Sequence, residues 1–161
     1  MVSLSSAMKI LISACLLGQN VKYNGLNNSI LDNQFIKRLQ SLNLLIPICP
    51  EVDGGLSIPR VPVEIIKGRA IDKFGKDKTK HFQTGAKKAV ILAKKFNIKY
   101  AVLKSKSPSC GSGFIYDGSF SHTLIQGDGI TALALKKIGV QIFSEDNLDS
   151  LEKLVKLNGN L

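Results

Sequence analysis

The chain contains no tryptophan, only two histidines (His81 and His122) and only three cysteines among 161 residues, and each shortage narrows what it can do. Without tryptophan, and with aromatics at 6% of the chain, there is little from which to build a base-stacking platform for single-stranded nucleic acid. No apolar run approaches the roughly 18 residues that a membrane span requires, so a soluble protein with no membrane partner is expected. Residues 1–7 carry no basic stretch ahead of a short apolar run, which argues against a secretory signal and for a cytoplasmic protein; Met8 is an alternative start. Three cysteines cannot all pair within one chain, so reduced thiols are expected rather than a disulfide framework. Acidic residues are also scarce. Twelve Asp and Glu against 22 Lys and Arg leave a formal charge of +10, which favours anionic partners such as nucleic acid or phosphate-bearing metabolites. Pairs such as Lys87-Lys88 and Lys94-Lys95 fall within a helical pattern and read as a solvated face. The length suits one domain, 1–161, and there is no internal repeat or low-complexity tract.

What is present is regularly placed. The cysteines stand in Ser13-Ala14-Cys15-Leu16-Leu17-Gly18, in Ile48-Cys49-Pro50-Glu51-Val52-Asp53-Gly54-Gly55 and in Ser107-Pro108-Ser109-Cys110-Gly111-Ser112-Gly113. Each follows an apolar, β-branched run that reads as a buried strand, at residues 9–14, 44–48 and 99–104; residues 140–143 make a fourth. Pro50 ends the second strand's pairing because it has no N–H to donate. Helical spacing predicts helices over 29–42 with Ser29 as N-cap, over 79–97, over 128–137 with Asp128 as cap, and around Leu148, Leu151, Leu154 and Val155. Residues 63–74 around Gly68, and 114–126 around Asp117-Gly118, read as small hairpins. Strands alternating with helices imply right-handed crossovers. The expected fold is a three-layer α/β/α, Rossmann-like open sheet of about four parallel strands in the order 2-1-3-4, with small hairpin additions. In that order the three cysteine-bearing strand ends are neighbours, on the carboxyl edge where ligand crevices form.

Free cysteine is among the most buried residue types, so small buried hydrophobes are the plain alternative. Placement argues for ligation instead, because all three thiols lie at strand-to-loop junctions among glycine, serine and proline. Structural zinc commonly uses close-spaced Cys-x-x-Cys pairs and four protein ligands, and here it would need His81 or His122 to help. An iron–sulfur cluster suits the pattern better, since cysteine thiolates are its usual ligands. Three thiolates on a four-iron cluster leave one iron open to a substrate atom. Glu51 and Ser107 would face the same crevice, the first to orient water or carry protons, the second to donate a hydrogen bond to developing charge. Loop 18–25 is long enough to act as a flap, and its Lys22 and Tyr23 are candidate substrate contacts. Ser13, Arg60, Lys104, Lys106 and Ser109 complete the candidate substrate-binding set, with Lys22, Arg60, Lys104 or Lys106 placed to meet a phosphate.

At these residues the sequence resembles the thiouracil desulfidase (TudS-like) family. The resemblance rests on Ser-Ala-Cys-Leu-Leu-Gly (13–18), Val-Lys-Tyr-Asn-Gly (21–25), Cys-Pro-Glu-Val-Asp-Gly-Gly-Leu (49–56), Pro-Arg-Val-Pro-Val-Glu (59–64) and Leu-Lys-Ser-Lys-Ser-Pro-Ser-Cys-Gly (103–111), with Gly-Asp-Gly-Ile-Thr-Ala (127–132) and Ile-Phe-Ser-Glu (142–145). It implies a [4Fe-4S] cluster held by Cys15, Cys49 and Cys110, a catalytic Glu51 and Ser107, and non-redox removal of sulfur from thiouracil or 4-thiouridine monophosphate as hydrogen sulfide. Relatives that act on thiolated RNA carry an extra domain for which this chain has no counterpart, so the expected partner is a small thiolated base or nucleotide. Two other readings remain open: a zinc-dependent hydrolase with a Cys₃ site, and a cluster- or nucleotide-binding module without turnover.

Overall fold

Alternation along the central strand sets the layers. In β1 (Ile10–Ser13), Ile10 and Ile12 belong to one buried cluster and Leu11 to another, because successive strand side chains point to opposite faces. The strand is buried along its whole length and pairs in parallel with β2 (Leu45–Ile48) on one side and β5 (Tyr100–Val102) on the other, while β5 pairs in parallel with β8 (Gln141–Phe143). The four-stranded order is β2-β1-β5-β8, the order read from the sequence. The computed structural model describes residues 8–159 and 161; the reading of residues 1–7 lies outside the described residues. No helix in that range is long and apolar enough to cross a membrane.

Helices cover both faces. On one, Ile10, Ile12, Tyr100 and Val102 pack against Phe35, Ile36 and Leu39 of α1 (Gln34–Ser41) and Leu148, Leu151 and Val155 of α5 (Leu148–Leu157). On the other, Leu11, Ala101 and Leu103 pack against Ala89 and Ala93 of α3 (Thr79–Lys95) and Ala132 and Leu135 of α4 (Ile130–Lys137). The small residues on α3 let it run close to the sheet. Two antiparallel hairpins, β3 (Val63–Ile66) with β4 (Arg69–Asp72) and β6 (Phe114–Tyr116) with β7 (Leu124–Gln126), share a third core of Val63, Ile65, Ala70, Phe82 and Ile115. They stand where the chain leaves β2 and β5, and so flank the carboxyl edge of the sheet.

Helix starts differ from the sequence reading for one physical reason: local and tertiary acceptors outcompete the nearest capping side chain. The first helix begins at Gln34 rather than near Ser29, with Asn33 Oδ1 accepting the Ile36 N–H at 3.1 Å. Ser29 Oγ accepts the Leu31 N–H at 3.3 Å in a separate turn. Asp128 does not cap α4; its Oδ1 accepts from Gly113 N–H and Lys136 Nζ, both at 2.8 Å. The opening N–H groups of α4 go to the carbonyls of Pro108 and Ser109 instead (Ile130 3.0 Å, Thr131 2.9 Å, Ala132 3.1 Å). A one-turn helix not foreseen from the sequence, α2 (Pro50–Asp53), follows Cys49 with proline at its first position, where a missing N–H costs nothing.

Both cysteine turns after β2 and β5 are clamped by backbone approach. A Cβ on Gly85 of α3 would lie 1.8 Å from the Pro50 carbonyl oxygen, and one on Gly129 would lie 2.5 Å from the Ser109 carbonyl carbon. Gly85→Ala should therefore lower Tm. Helix propensity would gain up to ~1 kcal/mol, but overpacking against a backbone that cannot yield costs ~1–3 kcal/mol, each kcal/mol being worth about 2–4 °C in a chain this size. Thermal unfolding checks it; an unchanged or raised Tm contradicts the close approach.

Candidate active site

One cavity of about 600 Å³ opens at the carboxyl edge, and its lining includes Cys15, Cys49 and Cys110. Cys15 lies in a 3-10 turn (Ala14–Leu17) that continues β1, Cys49 follows β2, and Cys110 ends the turn beyond β5. All three are free thiols. Glu51, Ser107, Ser13, Lys22, Arg60, Lys104, Lys106 and Ser109 line the same cavity, so the catalytic and substrate-binding candidates read from the sequence converge here, while the possible zinc helper His81 does not line it. The order β2-β1-β5 does this: β1 sits between two strands that the chain reaches in opposite directions, the switch point at which open α/β sheets leave a crevice.

Burial pushes the thiols toward their neutral forms. Desolvation raises the pKa of Cys15 and Cys49, and raises that of Cys110, the most enclosed, to about 12. The Asn28 side chain bonded to Cys15, the Val52 N–H bonded to Cys49, and the Ser13 and Ser109 hydroxyls facing Cys110 work in the opposite direction. Cys49 also raises the cost of ionising Cys15 across the cavity, as Cys15 does for Cys110. Such a set becomes thiolate when a cation arrives to share the charge, releasing its protons.

The donor set suits a polynuclear centre. A single zinc at ~2.3 Å from each thiolate would hold its ligands within about 4 Å of one another. Among the described residues no group of three or more His, Cys, Asp or Glu side chains is gathered tightly enough to chelate one ion. Nor do the histidines assist: the His81 ring bonds at 2.9 Å to the Gly54 carbonyl, and His122 packs edge-on against Tyr116 at 5.9 Å. Three free thiols on one cavity, with side-chain donors beside Cys15 and Cys110, are the donor type that iron–sulfur clusters use.

Beside the thiols runs a directed hydrogen-bond chain. Ser109 Oγ donates to Glu51 Oε2 at 2.8 Å, since a carboxylate only accepts, and this short bond takes its one proton in preference to Cys110 Sγ at 3.6 Å. The 3.0 Å contact between the Ser107 and Ser109 hydroxyls must then run from Ser107 to Ser109. Ser107 Oγ itself accepts the N–H groups of Ser109 (3.2 Å) and Cys110 (3.1 Å), so its only donor function is the one proton it gives to Ser109. The order is Ser107, Ser109, Glu51.

Two cations expected to meet substrate are committed elsewhere. Arg60, its side chain 7% exposed, donates Nε to Glu51 Oε1 at 3.2 Å, Nη1 to the Ser57 carbonyl at 3.2 Å and Nη2 to the Val21 carbonyl at 2.9 Å. It fixes the carboxylate and ties the 18–25 loop to the Cys49 turn. Lys104 pairs with Glu145, whose other oxygen accepts the Ser105 N–H at 2.8 Å. Burial opposes the Glu145 charge, but these bonds outweigh it and hold its pKa below the usual carboxylate range. Ser13 Oγ accepts the Lys104 N–H at 2.9 Å and lies buried against Cys110. Lys22 and Lys106 join no ion pair among the described residues. Sequence reasoning missed Asn28, Lys73, Glu64, Tyr116 and Phe120, which also line the cavity, and named His122, another lining residue, only as a possible zinc helper; of those missed only Glu64 stood inside a quoted motif, Pro-Arg-Val-Pro-Val-Glu.

A family model described as 2-thiouracil desulfurase matches residues 10–147. A Bacillus subtilis (strain 168) protein described as uncharacterized protein YbbK is 40% identical over 152 residues, covering 88% of this chain and 99% of its own. A solved structure described as the [4Fe-4S]-dependent thiouracil desulfidase TudS is 41% identical, covers 93% of this chain and 99% of its own, and superposes with a TM-score of 0.90.

The raised thiol pKa values set a pH window. Below pH ~8.5, where unfolded thiols are protonated, folding costs them nothing; above it the unfolded chain loses protons that the folded chain keeps, so metal-free protein should lose stability as pH rises from about 9 toward 12. Urea midpoints from pH 8 to 11 should fall, and Cys110→Ser should flatten the slope. Arg60→Ala, which leaves the Glu51 carboxylate enclosed without its partner, should cost on the order of 3 kcal/mol in the same measurement; a loss under about 0.5 kcal/mol would contradict the pairing.

Proposed function

The chain belongs to the 2-thiouracil desulfurase family, and from that premise we propose that it is a [4Fe-4S]-dependent desulfidase. It replaces the sulfur of a thiolated uracil with oxygen from water, giving the oxo product and hydrogen sulfide with no net redox change. The observation that carries this reading is the meeting of three thiols and a fixed carboxylate on one cavity. Cys15, Cys49 and Cys110 would hold the cluster. When bound, it supplies an open, soft Lewis-acidic iron that prefers thiocarbonyl sulfur to carbonyl oxygen and makes the attached carbon more electrophilic.

The chain's own residues do the rest. Arg60 holds one oxygen of Glu51, leaving Oε2 to take a proton from the water that adds to the carbon, a contribution of ~10²–10⁴ in rate. Ser107, whose oxygen is occupied by two N–H groups, can only donate; turned from Ser109 toward the substrate, its one proton stabilises negative charge on the adding or departing group. The proton held by Glu51 goes through Ser109 to the leaving sulfur, and the remaining hydroxyl proton of the adduct follows by the same route as the carbonyl forms, so both water protons end on hydrogen sulfide. Neither a Cys₃ zinc hydrolase nor a module without turnover is favoured: the family and the solved relative are both described by a desulfurising activity, the latter as [4Fe-4S]-dependent.

The substrate is a small thiolated molecule, a free base or a nucleotide such as 4-thiouridine monophosphate, rather than RNA. With Arg60 and Lys104 committed, a phosphate falls to Lys22, Lys106 and Lys73, none of which joins an ion pair among the described residues. The 161 residues work as one desulfidase-like unit, and free thiols of this kind suit the reducing cytoplasm.

Anaerobically purified protein should be brown, with about four iron and four acid-labile sulfide per chain; colourless protein carrying stoichiometric zinc would overturn the assignment. Glu51→Ala should keep the iron and lose sulfide release from thiouracil by at least about 10²-fold, and unchanged turnover removes Glu51 from the mechanism. The pair Lys22→Ala and Lys106→Ala should raise KM for the nucleotide severalfold and leave KM for the base alone, an effect that fades at high salt.

A further inference from the structure

Six residues other than glycine have positive φ among the described residues, and they fall into two groups. Asn43 and Asn97 each follow a helix and Lys67 precedes Gly68 in a tight hairpin turn, places where this conformation is ordinary. The other three, Lys106 (φ 65°), Phe120 (φ 56°) and His122 (φ 58°), all line the cavity. For a bulky residue such as phenylalanine this is an uncommon and costly conformation, and strain of this kind concentrates where it aims side chains at a ligand.

The 116–123 segment joining β6 to β7 is a two-faced ribbon. Its odd positions are stitched together outside the cavity: Ser119 Oγ bonds to Asp117 and to Ser121, and Ser121 Oγ to Thr123. Its even side chains Tyr116, Phe120 and His122 line the cavity, with Tyr116 and His122 edge to face. One carboxylate oxygen holds the ribbon in place, as Glu64 Oε1 accepts the N–H groups of Gly118 at 3.0 Å and Phe120 at 3.1 Å. Gly118 presses on β3, where a Cβ would lie 2.3 Å from Ile66 Cγ1. The chain is poor in aromatics, yet it gathers two of them and an imidazole on one wall.

We propose that this wall, with Phe120 as its stacking member, binds the face of the pyrimidine ring, and that Glu64 is the positioning residue that holds it. The proposal rests on the desulfidase reading for the identity of the ring and on the ribbon's geometry for the site. The ring's edge is then free to turn its thiocarbonyl toward the cysteines while the face is gripped on the opposite side, so the wall reads planarity and the thiols read sulfur.

The test is binding of uracil, the product, to anaerobic iron-loaded protein by calorimetry, alongside steady-state kinetics on thiouracil. Phe120→Ala should weaken uracil at least about fivefold and raise KM by a similar factor, with kcat changing less and iron content unchanged. Glu64→Ala should do the same, and Glu64→Gln, which keeps an acceptor oxygen for both N–H groups, should restore most of the affinity. If Glu64→Ala does not fold, Phe120→Ala and Phe120→Leu carry the test. Uracil affinity indifferent to Phe120 overturns the wall even where wild-type protein releases sulfide. Affinity that depends on Phe120 in protein releasing no sulfide supports the wall and sinks the desulfidase reading. A wild-type protein that binds no pyrimidine overturns the wall.

Discussion

Parallel pairing of β1 with both β2 and β5 is the constraint on which the site depends. Ile10 registers with Leu45 on one side and Tyr100 on the other, so the three strands end at one level and the turns beyond them face one another. A one-residue slip would turn the Ile10 and Ile12 side chains out of the α1–α5 core, and burial on both faces makes such a slip costly. Core packing thus specifies the relative positions of three thiols that no local motif brings together. The helices extend the same control outward: α3 meets the Pro50 carbonyl at Gly85, and α4 receives the carbonyls of Pro108 and Ser109 on its first N–H groups.

Within that frame the charges are arranged to be spent locally. Arg60 lies closer to a core residue than to a surface cation; its three hydrogen bonds join Glu51, the Ser57 carbonyl and the Val21 carbonyl. It links the 18–25 loop, the irregular stretch before β3 and the Cys49 turn at one guanidinium, whose planar fork a lysine could not reproduce. Glu145 does the comparable service beyond β8 by fixing Lys104 and Ser105. What remains uncommitted at the cavity is cationic, and this is where the chain's surplus of positive charge becomes specific.

Much of this was legible in the sequence, and the reasons are physical. Strand order followed from apolar runs of strand length separated by helical spacing, and the meeting of Cys15, Cys49 and Cys110 followed from their place just past those runs. Glu51 and Ser107 were legible for the same reason, being a few residues from a strand end. Less visible were features decided by partners distant in the chain. Nothing near Arg60 announces that its guanidinium turns toward Glu51, and nothing near Asp128 says that it will serve Gly113 and Lys136 while Pro108 and Ser109 cap α4. Phe120 and His122 read as hairpin residues until the ribbon's alternation separated its hydroxyl face from its aromatic one. Glu64 sat inside a recognised motif without a role, because its partners are backbone N–H groups that any sequence would supply.

Enclosure of the three sulfurs bears also on the protein's life between loadings. Thiols whose pKa is held high stay uncharged at physiological pH until a cation shares their charge, so by themselves they set no cluster of repelling anions against the walls. Binding the guest adds stability by mass action to a fold whose layers also rest on three hydrocarbon clusters.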